Sequence, residues 1–278
     1  MTTKQGLVFG TAGIPNPLKA KTTQGGIELL YKLGLSCMEV EFVKGVNMTP
    51  ATARDVARVA TKRGIRLSAH APYFINLNAR EPEKVRASRE RIVQTARITA
   101  LLGGESVVFH PAYYLKDEPD KVYATVKTNL EQIVARLKIE GNRVCIRPEV
   151  MGKDSQFGTL EEVLQLCAEV EGVAPALDFA HWHARTGKVN SYNEFIAVLK
   201  KVEKRLGRAA LDNLHIHVSG IRYGEKGENN HLNFAESDFN YEALVMALKD
   251  YKVKGMVICE SPNLEDDAQL LKQAYEKL

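Results

Sequence analysis

Short apolar runs alternate with longer stretches in which apolar residues recur at helical spacing, from one end of the chain to the other. The short runs are GLVFG (6–10), CMEVEF (37–42), RLSAH (66–70), SVVFH (106–110), RVCIRPE (143–149), APALDF (174–179), LHIHVS (214–219) and GMVICE (255–260). Each reads as a buried strand, which makes eight. The stretches between them read as amphipathic helices. In TPATARDVARVATKRG, Thr49 can cap, Pro50 opens the first turn and Gly64 ends the helix. The last helix follows SPNLEDDAQLLKQAYEKL. No linker rich in Gly, Pro or Ser and no low-complexity tract interrupts the alternation. The pattern predicts an α/β fold, a single (β/α)8 TIM barrel with one domain over residues 1–278, in preference to an open doubly wound sheet.

Composition narrows the choices. Of 278 residues, 45% are hydrophobic and 26% charged, which are ordinary globular proportions. Neither a glycine-rich dinucleotide fingerprint after the first strand nor a phosphate-binding G-x-x-x-x-G-K-[ST] occurs. No apolar run approaches the ~18 residues of a membrane span, and the start MTTKQGLVFG lacks the basic and long apolar regions of a signal peptide. A cytoplasmic protein with no membrane partner is expected. The formal charge of +4 is compatible with a polyanionic partner without demanding one. Cys37, Cys145, Cys167 and Cys259 are scattered, with no C-x-x-C pair, and read as core thiols.

In such a barrel the carboxyl ends of the strands build the active site. His70 ends the third run, His110 the fourth and Glu149 the fifth; Asp178 lies near the end of the sixth with His181 just beyond, His217 near the end of the seventh, and Glu260 ends the eighth. All seven histidines (His70, His110, His181, His183, His215, His217 and His231) fall at or just after expected strand ends, and none is expected on a helix. One such histidine alone reads as a hydrogen-bonded structural residue; so many at one rim read as ligands. Three converging carboxylates would repel and would be costly to desolvate, and divalent cations remove both costs. Mixed imidazole and carboxylate donors suit zinc best, with manganese or iron as competitors, and they outnumber the four that one tetrahedral ion takes, so two or three ions are expected.

The segments HAPYFINL (70–77), VFHPAYY (108–114), PEVMG (148–152), LDFAHWHA (177–184), LHIHVSG (214–220), NNHL (229–232) and CES (259–261) resemble, in order and approximate spacing, the endonuclease IV family of apurinic/apyrimidinic DNA-repair enzymes. The resemblance implies a TIM barrel with a trinuclear zinc site, which hydrolyses the phosphodiester 5′ to an abasic site in double-stranded DNA with an ion-activated hydroxide. It further implies His70, His110 and Glu149 on one ion, with Glu149 bridging and orienting the attacking water. Asp178, a histidine of the H-I-H and Glu260 would hold a second ion, and His181 with His231 a third. Tyr73 falls where the family contacts DNA at the lesion. Of the H-I-H, His217 lies nearer the rim and is taken as the ligand, with His215 as its partner or alternative. His183 is expected at the surface or behind the ligands, and Trp182 in packing.

Two departures from the family pattern stand out. Where the family's third ion receives an aspartate two residues before the last histidine, this chain has Asn229, with Glu228 beside it; either Glu228 takes the role or the third site is weak. The first strand, FGTAGIPNP, lacks the family's histidine and glycine-rich pattern. Glu39 and Glu41 read either as salt-bridged barrel residues or as extra site acids. Loop cations Lys19, Lys21, Lys153, Arg185, Lys188, Arg222 and Lys226 support a DNA partner, and a monomer is expected. The alternative is a xylose isomerase-like sugar isomerase or epimerase with one or two Mn2+ or Mg2+ ions and Glu149 and Glu260 as acid/base pair. A third reading is a metal-dependent nucleic-acid-binding protein with weak catalysis.

Overall fold

The computed structural model describes residues 6–278. Its strands are β1 (Leu7–Ala12), β2 (Cys37–Glu41), β3 (Arg66–His70), β4 (Ser106–Phe109), β5 (Cys145–Pro148), β6 (Ala176–Asp178), β7 (Leu214–Val218) and β8 (Gly255–Cys259). They form one eight-stranded sheet, parallel throughout, in the spatial order β5-β4-β3-β2-β1-β8-β7-β6. Bridges Ile146↔Val173 and Glu149↔Ala176 join its two edges, and the sheet closes into the expected TIM barrel. β6 is shorter than the sequence pattern suggests. It begins only after Pro175, whose nitrogen cannot donate to a ladder.

The helices α1 (Thr23–Lys32), α2 (Pro50–Arg63), α3 (Pro82–Leu101), α4 (Pro119–Ile139) and α5 (Leu160–Glu169) follow the first five strands in turn. The signals read for α2 all hold: Thr49 accepts from the Thr52 N–H, Pro50 opens the helix, and Gly64 ends it at φ 66°. After β6 come α6 (Phe179–Thr186), α7 (Tyr192–Leu206) and the four-residue α8 (Arg208–Leu211); α9 (Tyr241–Asp250) and α10 (Glu265–Lys277) complete the ring. Ile27 and Leu30 of α1, Val56 of α2, Phe195 and Leu199 of α7 and Leu244 of α9 are wholly buried between the ring and the barrel. Each contributes about 1.5–3 kcal/mol by leaving water.

Additional elements sit in the loops after the strands: an antiparallel hairpin, Gly220–Gly224 with Gly227–Leu232, and a two-residue pairing of Ala112–Tyr113 with Gln156–Phe157. They correct one expectation. His181 and His183 lie on α6, and His231 on the hairpin, so two histidines are helical after all. The thiols are corrected as well: all four are free, but only Cys37 and Cys259 are buried, with Cys145 and Cys167 half-buried. Among the described residues no helix is long and apolar enough to cross a membrane.

Register sets the height of each inward side chain. Glu39 pairs with Ser68, Glu41 with His70, and Asp178 with His217. With a period of two along each strand, Glu41, His70, Glu149 and His217 form an upper layer at the rim, and Glu39, Ser68, Arg147 and His215 a layer below it. Barrel interiors are usually filled with Val, Ile and Leu at that depth.

Candidate metal centre

Glu149 is the hub of the rim. It follows β5 and is 1% exposed. Its Oε2 lies 3.4 Å from His70 Nε2 and 3.2 Å from His110 Nε2. Its Oε1 lies 3.3 Å from His217 Nδ1 and 3.2 Å from His181 Nδ1. Glu260 Oε1 stands 3.5 Å from the same His217 nitrogen, and Asp178 Oδ2 3.3 Å from His181 Nδ1. Four sets of donor atoms result, each with its atoms within 4.8 Å of one another: His70, His110 and Glu149; Glu149, Asp178, His217 and Glu260; His181, Glu228 and His231; and, below the rim, Glu39, His215 and His217. The eight residues read from the sequence as ligands all converge here.

Backbone carbonyls aim several of the rings. His70 Nδ1 donates to the Ala71 carbonyl at 2.7 Å, His231 Nδ1 to the Glu260 carbonyl at 3.2 Å, and His181 Nδ1 approaches the Val150 carbonyl at 3.3 Å. A carbonyl can only accept, so His70 and His231 each carry a ring proton on Nδ1 and turn Nε2 toward the centre, whereas His181 Nδ1 also faces Glu149 and Asp178 and its Nε2 lies 3.2 Å from that of His231. Asp178 divides its oxygens. Oδ1 accepts from the His181 N–H at 2.6 Å and caps α6, while Oδ2 is buried without a hydrogen-bond partner.

The Asn229 question is answered by a bulge. Across the hairpin, Arg222 pairs with Asn230 but Tyr223 pairs with Glu228, so Asn229 is the extra residue. One inserted residue shifts the alternation of faces. His231 and Glu228 therefore share the inner side, with Glu228 Oε2 3.5 Å from His181 Nε2, and Asn229 is exposed. Gly152 clears the path: a Cβ there would lie 2.8 Å from Glu228 Cβ and 3.1 Å from His181 Cδ2.

Charge at the rim is balanced between carboxylates and imidazoles. Burial alone would raise the Glu149 carboxyl, but the imidazoles of His110 and His217 outweigh it and hold it well below the usual range. His70 is pushed up to about 9, because Glu149 and Glu41 more than reverse the effect of burial. Burial pushes Glu41 up to about 8 and, with Glu260 and Glu149 nearby, Asp178 to about 6. Burial lowers His110. Without a cation, then, the centre holds protons in place of metal. Imidazole and carboxylate donors in convergent sets, with buried oxygens of Asp178, Glu41 and Glu39 left without hydrogen-bond partners, fit divalent ions of the zinc or manganese kind.

The other expected residues take definite positions. Tyr73 is 45% exposed and its ring lies 5.4 Å from that of His110, at the mouth of the centre; Phe74 beside it is 63% exposed and was not singled out in the sequence. His183 faces away from the centre, as expected, but it is buried rather than on the surface, 3.4 Å from Asp238 and edge-on to Tyr223. Trp182 packs against the core. Arg185 donates to the Gln156 carbonyl, and Lys21 to those of Pro15 and Asn16, so both of these loop cations are tied to backbone. Glu39 is not salt-bridged to a lysine or arginine among the described ion pairs and stands instead against His215 and His217.

The family model described as xylose isomerase-like TIM barrel matches residues 27–278. The chain belongs to the xylose isomerase-like TIM barrel family. Within that family it is similar to a Methanocaldococcus jannaschii protein described as uncharacterized, at 45% identity over 98% of both chains. A Mycobacterium leprae protein named probable endonuclease 4 is 26% identical over 80% of this chain and 84% of its own. Among solved structures, endonuclease IV from Thermus thermophilus shares the fold at a TM-score of 0.72 and 18% identity, over 99% of this chain and 100% of that one. A D-tagatose 3-epimerase-like protein does so at 0.74 and 17%, over 98% and 96%. The fold is thus common to proteins named endonuclease and to one named epimerase-like, and identities this low do not choose between them.

Proposed function

We propose that this protein is a metal-dependent phosphodiesterase that cleaves duplex DNA 5′ to an abasic site, acting as a cytoplasmic, monomeric, single-domain enzyme. The observation that carries this reading is the pair of imidazole-rich sets, His70–His110–Glu149 and His181–Glu228–His231, flanking the four-donor set of Glu149, Asp178, His217 and Glu260. A sugar isomerase needs only the four-donor set. A phosphodiester requires charge neutralisation on the attacking, nonbridging and leaving oxygens together, which several cations provide better than one.

The residues assigned to zinc, or to manganese in its place, are those three sets, with His215 behind them and Asn229 outside. When bound, the ions would supply Lewis acidity and lower the pKa of water at neutral pH. Glu149, with an oxygen toward each of two sets, would bridge them and would accept a proton from the attacking water. Tyr73 offers a half-exposed ring beside His110, against which a sugar lacking its base can rest. The second reading, an epimerase using Glu149 and Glu260 as acid/base pair, draws support from the four-donor set alone.

The test is incision of a duplex bearing one abasic site, run beside turnover of ketohexoses, with the metal content measured. His110→Ala is expected to abolish incision with an unchanged far-UV spectrum. Sugar turnover without incision would select the epimerase, and full incision by His110→Ala would remove His110 from the centre.

A further inference from the structure

Unlike His70, His181 and His231, whose outer nitrogens meet peptide carbonyls, His217 turns its second nitrogen down into the barrel. There it meets a carboxylate: Glu39 Oε1 lies 2.8 Å from His217 Nε2, a charge contact without the alignment of a hydrogen bond. Glu39 Oε2 lies 2.9 Å from His215 Nε2 and accepts from Ser68 Oγ at 2.7 Å. His215 Nε2 is 3.3 Å from His217 Nε2. All four residues are at 0% exposure, in the layer below the rim or against it. Arg147 of the same layer donates to the Pro175 and Asn213 carbonyls, and an anion at this depth that no lysine or arginine pairs with among the described ion pairs would be costly unless what faces it carries a proton. The two imidazoles are what faces it.

We propose that Glu39 is a positioning residue for metal binding: it keeps the ring proton of His217 on Nε2 and so leaves the Nδ1 lone pair facing Glu149, Glu260 and Asp178. The inference rests on the metal-centre reading above. A neutral imidazole has one proton to place, and a carboxylate beside Nε2 draws it there because a carboxylate can only accept. Ser68 and His215 fix Glu39 in turn. The charge matters as well as the shape. In Glu39→Gln an amide of nearly the same size can donate as well as accept, which lets the proton move to Nδ1 and block the ligand position.

The test uses the full-length protein with zinc alone as the probe. In zinc-loaded wild type, a two-bond proton–nitrogen correlation of the imidazoles is expected to show the His217 proton on Nε2. Glu39→Gln is expected to bind zinc at the four-donor set about 10–100-fold more weakly, the usual range for losing a partner behind a ligand. Zinc at His181, Glu228 and His231 should be unaffected, and the far-UV spectrum of the metal-free variant checks its fold. Where that variant does not fold, Ser68→Ala, which only loosens Glu39, should weaken zinc several-fold in the same direction. A proton on Nδ1 of His217 in the zinc-loaded wild type, or wild-type zinc affinity in folded Glu39→Gln, overturns the proposal and leaves the centre standing. Wild-type protein that binds no zinc overturns the centre and this proposal together.

Discussion

Two parts of the rim place their donors by different means. His70, Glu149, Asp178 and His217 sit on barrel strands or directly after them and are at most 2% exposed. Glu228 and His231 sit on a hairpin that leaves the barrel, and both are half-buried. A strand inside a closed ladder cannot slip by one residue without turning its whole apolar face outward, so its donors are held at fixed heights by the fold itself. A hairpin donor is held by its own turn and, here, by one bulged residue. The strand-borne sets should therefore be tighter and should tolerate less change.

The most disruptive test of that contrast is Glu149→Ala. It removes the donor common to both strand-borne sets, and metal analysis should find neither of those ions, with incision lost; two retained ions would mean that the hub is dispensable. Next comes Glu228→Ala, which should release only the hairpin-borne ion and slow incision while the strand-borne ions stay. Its companion Asn229→Asp should change nothing, because the bulge leaves that position outside; zinc bound more tightly by Asn229→Asp would show that the hairpin register differs from the one described.

A smaller effect sharpens the comparison through pH. In metal-free protein the strand-borne cluster carries proton sites above their ordinary values: His70 at about 9 against 6.5, Glu41 at about 8 against 4.5, Asp178 at about 6 against 3.8. Above pH 6.5, where the lowered His110 and His215 no longer oppose them, these sites make the folded state bind more protons than the unfolded chain, so stability falls as pH rises. What His70 contributes is complete below pH 6.5 and gone above about 9, and the two carboxyls become costly between their unfolded and folded values. Thermal melts without metal should drop from about pH 6.5 to 9, and zinc, which displaces these protons, should raise Tm by more as pH increases across that window. A flat profile would show that the cluster is not protonated in this way.

The contrast also explains what the sequence could reveal. The barrel and its rim were legible because strand period and strand ends are local properties: RLSAH ends on the residue that the ladder delivers to the centre. The helix that carries His181 is not expected from the sequence because APALDF reads as strand through Phe179, whereas Asp178 turns its oxygen to the His181 N–H and starts a helix there. Glu228 could not be separated from Asn229, since which residue bulges depends on pairing across the hairpin and not on either residue alone. Glu39 stayed ambiguous for a related reason. Its partners His215 and His217 lie far away along the chain, and only barrel closure brings β2 and β7 face to face across the interior.

That closure has a weak joint. Between β5 and β6 the sheet is joined by two isolated bridges rather than a ladder, and Glu149 and Asp178 stand on its two sides. A cation gripped by both would work as a rivet across the joint. Emptying the rim would then loosen the whole cylinder along one line, and resistance to heat or proteolysis would report on the chemistry at its mouth.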